Sequence, residues 1–294
     1  MTKPVCFCGI ALHPRAYRDL ALVFDVTSDT RDLDRVDAAL VYGVPGEWLG
    51  RRPEKLKNIA CHLCEGEAAA WAAERGIAVF ESSLIWRTVA EHTAAMMFAA
   101  ARNIAAADAD IRAGRWKDHE NLKIQHAGFG LYGKTVGIWG LGRIGKLLAP
   151  MLAGFGTRIL YHDLCGIPGE IERPLGLIRA DLDDMLSRSD FLVVLLPLDN
   201  STCALLNRDL FGKMKRGSIL INTARAAIIE EAAFREALDS GILAGAALDV
   251  LWTEGGAQPE WLCGNRRVTL TPHLGGSTYE CDIELVDALR GGLG

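Results

Sequence analysis

The chain has 294 residues, 50% of them hydrophobic, with 32 basic against 37 acidic residues and a formal net charge of −5. That length predicts two domains rather than one enlarged core. The charge balance, without a basic block or an aromatic-interleaved basic patch, offers no case for a nucleic-acid partner, and no apolar run reaches the roughly 18 residues of a membrane span.

The opening residues MTKPVCFCGIALHPRAY carry one basic residue before a short apolar stretch broken by His13 and Pro14, which does not read as an export signal, so a cytoplasmic location is expected. The eight cysteines are spread along the chain, and reduced thiols are expected rather than a disulfide framework. Cys61 and Cys64 have the spacing of half a zinc site. No second pair matches them, so burial at a strand end is expected and no metal.

Short apolar runs alternate with helical stretches in two passes, predicting an α/β protein of two Rossmann-like or flavodoxin-like domains, each with a doubly wound parallel sheet, and a cleft between them. In the first pass the expected strands are 5–8, 38–42, 58–63 and 78–80, with a helix over 67–75. Residues 88–110, rich in alanine, predict one long helix crossing between domains. The second pass offers TVGIW from Thr135, TRILYHD from Thr157, FLVVLLP from Phe191, SILINTA from Ser218, GAALDV from Gly245 and RVTLTP from Arg267. Apolar on both faces, these suit a buried parallel sheet. A helix is expected over 230–240, and another over 277–290.

Gly140, Gly142 and Gly145 follow the first strand of this second pass directly and open a helix, the context in which G-x-G-x-x-G binds a dinucleotide. Gly140 permits the tight turn, Gly142 lets backbone approach a pyrophosphate, and Gly145 lets helix and strand pack closely. Asp163 ends the next strand, where its carboxylate can accept from an adenosine ribose and repel a 2′-phosphate. Leu164 and Cys165 follow it, with no arginine, so NAD is expected rather than NADP. Pro150 removes a bond inside the helix after the glycines and predicts a kink.

GLYGKTVGIWGLGRIGKLLAPMLAGFG, LLPLDNST, INTARAAIIEEAAFREAL, GAALDVLWTE and TPHLGGST together resemble the D-isomer-specific 2-hydroxyacid dehydrogenase family, which includes phosphoglycerate, glycerate, phosphite and formate dehydrogenases. The resemblance is dense from about residue 89 to 278 and thins towards the N-terminus. It implies backbone contacts to the pyrophosphate from Arg143 and Ile144, and an adenine-side loop at Pro197 and Thr202. It further implies that Thr223 and Ala224 flank the nicotinamide, that Asp249 is the acid near its carboxamide, and that Gly275 and Gly276 continue the same wall. Arg225 matches the arginine that grips the substrate carboxylate, a task suited to a planar guanidinium. His273 matches the acid/base and Glu254 its carboxylate partner. Of the remaining histidines, His92 is expected as a satisfied residue between the domains, whereas Trp116, Trp252 and Trp261 are expected to be packing or interface residues.

The resemblance also implies a substrate domain of residues 1–93 completed by 274–294, an NAD-binding domain of 94–273, and a homodimer formed through the helix at 88–110 and the ADIRAGRW segment. The expected partner is a small anionic substrate, a 2-oxo or 2-hydroxy acid. The chain departs from the family pattern at ACHLCEGEAAAW, which is about two residues shorter than the loop that holds the substrate anion and places Glu65 and Glu67 beside Gly66. Gly255 also replaces a common proline. The expected activity is hydride transfer between NAD and a D-2-hydroxy acid. A non-catalytic NAD-sensing protein of corepressor type and an enzyme acting on a phosphonate or phosphite are the alternatives.

Overall fold

The computed structural model describes residues 3–50, 54–167 and 169–292. The chain divides into two compact units, Met1–Thr88 with Gly276–Gly294, and Val89–Gly275. The divisions fall after 88 and 275, against the expected 93 and 273. Positions 1–2, 51–53 and 293–294 of the expected substrate domain, and 168 of the other, lie outside the described residues.

In the first unit β1 (Val5–Cys8), β2 (Asp25–Thr27), β3 (Ala38–Gly43), β4 (Asn58–Leu63) and β5 (Ala78–Glu81) form a parallel sheet in the order β2-β1-β3-β4-β5. Side chains alternate across it as strand geometry requires. Phe7, Ala39, Ile59 and Cys61 face Trp48 and Trp71 on one side, while Cys6, Leu40 and Ala60 face Leu20, Leu285, Val286 and Leu289 on the other. The helix Tyr279–Gly291, capped by the Thr278 hydroxyl, supplies the last three of these. All eight cysteines are free. Burial pushes the Cys61 thiol up to about 12, in keeping with its place in the packed face.

In the second unit β6 (Thr135–Trp139), β7 (Arg158–His162), β8 (Leu177–Arg179), β9 (Phe191–Val194), β10 (Ser218–Asn222), β11 (Leu243–Leu248) and β12 (Val268–Leu270) are parallel, in the order β12-β11-β10-β9-β6-β7-β8. Leu192, Val194, Leu220 and Leu248 pack on one face with Phe211 and Phe234. Phe191, Val193, Ile219 and Ile221 pack on the other with Leu148 and Met97. Both faces are therefore covered, as a doubly wound sheet demands. The order in which strands join the sheet reverses between β6 and β9, the place where such sheets bind ligands. Helix Arg143–Ala153 continues through Pro150, which sits exposed near its end. Among the described residues no helix is long and apolar enough to cross a membrane.

The single helix expected over 88–110 is two, Ile85–Ala101 and Ile104–Arg112, because Asn103 adopts φ 52° and turns the chain between them. Asparagine tolerates that left-handed region better than most residues. Near the end of the second helix Asp110 is buried, with His126 Nε2 at 2.7 Å, Arg266 Nη2 at 2.6 Å and Arg115 Nη1 at 3.1 Å. The hydrogen bond from His126, with the two arginines, holds its carboxyl at about 2, against the ordinary 3.8. A depressed folded-state value stabilises the fold above the ordinary value and stops doing so as pH falls through the depressed one. Asp110→Asn is therefore expected to destabilise the protein at pH 7 and to flatten its loss of stability from about pH 4 to 2, as followed by denaturant unfolding across that range.

Candidate active site

The glycine turn after β6 is built as its spacing requires. Gly140 has φ 98°, and its N–H donates to the His162 carbonyl at 2.9 Å. A Cβ there would lie 2.9 Å from the carbonyl carbon and oxygen of Leu195, beyond β9. Gly142 precedes the helix without a side-chain cap, and a Cβ there would meet nothing within 4 Å. The first helical bond runs from Lys146 N to Gly142 O at 3.1 Å, so the earlier helix amides have no acceptor within the helix. A Cβ on Gly145 would lie 2.8 Å from Gly140 O. An open cradle ending in a helix N-terminus fits a pyrophosphate. Gly140→Ala combines about 1–3 kcal/mol of backbone strain with a backbone clash. It is expected to lower the denaturation midpoint and weaken NADH binding at least tenfold, both measurable by fluorescence.

Asp163 is tied to this turn: Leu141 N donates to its Oδ2 at 2.7 Å and Cys165 N to its Oδ1 at 3.0 Å. Arg179, at the end of β8, donates from Nη2 to the Asp163 carbonyl at 3.3 Å. The sequence reading missed this guanidinium, because β8 is a short edge strand and Arg179 lies far from the acid in sequence. Across the sheet, Thr202 Oγ1 donates to Pro197 O at 2.7 Å and accepts from Asp199 N at 2.8 Å, so the loop expected on the adenine side is shaped by the threonine itself.

Three adjacent strands carry the remaining site residues just past their C-terminal ends. At the end of β10, Asn222 accepts from Ala224 N at 3.0 Å and donates to Arg225 O at 3.0 Å, folding the chain so that Arg225 leaves the sheet edge. Thr223 is buried, with its hydroxyl 2.7 Å from that of Thr93. The Arg225 guanidinium donates to Ala224 O at 2.7 Å, and among the described residues no carboxylate pairs with it. After β11 comes Glu254, in a turn where Gly255 has φ 73°. Proline, fixed near −65°, could not adopt that conformation, which accounts for the departure at this position. After β12 stands His273, whose Nδ1 is 3.0 Å from Glu254 Oε1.

His273 has φ 58°, unusual for a side-chain-bearing residue. Its own N–H donates to Asp249 O at 2.9 Å. The Asp249 carboxylate, 1% exposed, accepts from Thr271 Oγ1 at 2.6 Å, Leu274 N at 2.8 Å and Gly275 N at 2.9 Å. Burial raises its pKa, but His92 and these donors outweigh that and hold it below the ordinary carboxylate value. Asp249 is thus the anchor of the histidine turn, with its oxygens already engaged by the protein.

His92 bonds within the second unit, to Asp249 and Thr271, rather than between units. Gly276 belongs to the first unit, where a Cβ would lie 2.3 Å from Ile85 Cδ1. Trp252 packs on Phe234 with ring centroids 5.7 Å apart, and its indole N–H donates to Ile229 O at 2.9 Å. Glu65 and Glu67 are exposed at the start of helix Gly66–Glu74.

This is a dinucleotide-binding α/β domain bearing an arginine and a carboxylate-paired histidine at its strand ends. Residues 94–275 match the model of the D-isomer specific 2-hydroxyacid dehydrogenase NAD binding domain. The chain belongs to that family, and its second unit is the NAD-binding domain. Similar relatives include D-3-phosphoglycerate dehydrogenase 2, chloroplastic, of Arabidopsis thaliana, 39% identical over 69% of this chain and 32% of that protein. The glyoxylate reductase of Thermococcus litoralis is 36% identical over 85% of this chain and 76% of its own length. The chain thus spans about a third of the length of the plant relative. Among solved structures, holo D-mandelate dehydrogenase of Rhodotorula graminis superposes with a TM-score of 0.76 at 26% identity, covering 97% of this chain and 92% of that one.

Proposed function

We propose that the protein is an NAD-dependent oxidoreductase interconverting a small 2-oxo acid and its D-2-hydroxy acid. The observation that carries this reading is the His273–Glu254 pair at 3.0 Å, on strand ends adjoining the one that delivers an arginine without a carboxylate partner among the described residues. When bound, the nicotinamide cofactor supplies the hydride to C2 of the oxo acid, or accepts it in the reverse direction. Arg225 holds the substrate carboxylate and polarises the 2-oxo oxygen. His273, its Nδ1–H held by Glu254, delivers the Nε2 proton to that oxygen as the hydroxyl forms. In oxidation the neutral ring takes the proton back. Arg143 and Ile144 offer backbone to the pyrophosphate, and Thr223 and Ala224 border the nicotinamide.

NADH consumption against glyoxylate, hydroxypyruvate, pyruvate, branched 2-oxo acids and phosphonopyruvate tests this reading. Turnover with one or more supports it, and phosphonopyruvate reports on the phosphonate alternative. Tight NADH binding with silence across the panel would favour the sensing role instead.

We also propose that the protein is a homodimer formed through residues 88–110 and the ADIRAGRW segment that follows. Trp116 is 65% exposed there, with Ile104 and Ile111 also outward, a concentration of apolar side chains on one segment that suits a second copy. Light scattering at micromolar concentration is expected to give twice the chain mass, and a monomer would contradict the assignment.

A further inference from the structure

One face of helix Ile85–Ala101 underlies the strand ends that carry the second unit's site. Val89, His92, Thr93 and Met96 follow the i, i+3, i+4, i+7 pattern of a single helix face. A Cβ on Gly275 would lie 3.4 Å from Val89 Cγ2. His92 Nε2 is 3.2 Å from Asp249 Oδ1 and 3.3 Å from Thr271 Oγ1. Thr93 Oγ1 donates to Val89 O at 2.7 Å, so it accepts from Thr223 Oγ1, also at 2.7 Å. Met96 Sδ is 3.5 Å from Thr271 Oγ1.

Polar residues in a largely buried helix face cost desolvation unless they are paired. Here both are paired with site-bearing elements, Thr93 with the end of β10 and His92 with the turn after β12. Packing alone would be met by alanine or methionine, as elsewhere on this helix.

The path from His92 to the reacting histidine is short. His92 satisfies an oxygen of buried Asp249, and the same carboxylate collects the amides of Leu274 and Gly275. Those two amides follow His273 directly, and the Asp249 carbonyl takes the amide of His273 itself. A left-handed φ of 58° on a non-glycine residue persists only when its surroundings hold it. The Asp249 carboxylate and carbonyl do so from one side, and His92 fixes the carboxylate.

We propose that His92 is a positioning residue. Its imidazole Nε2–H orients the Asp249 carboxylate, which keeps the turn after β12 in the conformation that presents His273 to Glu254 and to the substrate. This rests on the dehydrogenase reading for its effect on turnover, although not for its effect on His273.

The test compares His92→Leu, which removes the hydrogen bond, with His92→Gln, whose amide N–H can reach the same oxygen. His92→Asn, polar but too short, replaces the leucine variant if that chain does not fold. Three readouts are taken: the NMR titration of the labelled His273 ring in the absence of substrate, NADH affinity by fluorescence, and steady-state kinetics. Leucine is expected to move the His273 titration midpoint and to lower kcat by about 10- to 100-fold, as loss of a supporting hydrogen bond behind a reactive group does. KM and NADH affinity should stay within about threefold, and glutamine should recover both the midpoint and most of kcat. An unmoved His273 titration in the leucine variant overturns the proposal, as does a glutamine variant as impaired as the leucine one. If the parent protein turns over no 2-oxo acid, the dehydrogenase reading fails, and the His273 titration still decides the role of His92.

Discussion

Replacing His273 with asparagine is expected to lower kcat by about 10²- to 10⁴-fold, the usual contribution of a positioned general acid or base. NADH affinity should change by less than about twofold. Asparagine is the informative substitution because the position has φ 58°. It accepts left-handed backbone readily, so the turn anchored on Asp249 survives and the lost rate reports on the ring alone. Alanine would add strain and confound the two. Glu254→Gln should fall between the parent and His273→Asn, since the amide can still accept from Nδ1–H but no longer offers charge to the protonated ring. Steady-state kinetics beside NADH titrations check all three expectations, and an asparagine variant with unchanged turnover would remove His273 from the reaction.

The second large effect concerns Arg225. Its guanidinium donates to one carbonyl, Ala224 O at 2.7 Å, and among the described residues meets no carboxylate. A half-buried guanidinium without an internal counter-ion suits a ligand anion. Arg225→Ala is expected to cut kcat/KM by about 10²- to 10³-fold or more, through both a raised KM and a lowered kcat, because in the proposed function the same group binds the carboxylate and polarises the reacting oxygen. Arg225→Lys keeps the charge but not the two-pronged geometry, so it should recover binding better than turnover. Equal recovery of KM and kcat by lysine would leave charge as the whole of the arginine's role.

The strands most legible in the sequence are those whose residues are apolar on both faces. Phe191–Val194 and Ser218–Asn222 are wholly buried, and nothing but a covered parallel sheet suits them. Asp25–Thr27 and Leu177–Arg179 escaped notice because each is a three-residue edge strand, largely open to solvent, with too little chain to establish a period. The interruption at Asn103 could have been anticipated from an asparagine inside an alanine-rich run, but helix propensity over the whole stretch outweighed it.

The glycine turn was legible because each glycine answers a local steric demand. The Asp249 anchor was not, since its four donors come from His92, Thr271, Leu274 and Gly275, brought together only when strands and helix pack. The left-handed backbone of His273 was hidden for the same reason.

The helix Tyr279–Gly291 has a bearing on how the protein is made. Leu285, Val286 and Leu289 close one face of the first sheet, over Cys6, Leu40 and Ala60, yet they leave the ribosome after the entire second unit. The residues from Val89 to Gly275 form a contiguous unit and can collapse while translation proceeds. The earlier-made sheet must meanwhile wait with only part of that oily surface covered, by Leu20 and its neighbours. During that interval it is the part of the nascent chain most open to chaperones, and to sticking to another unfinished copy.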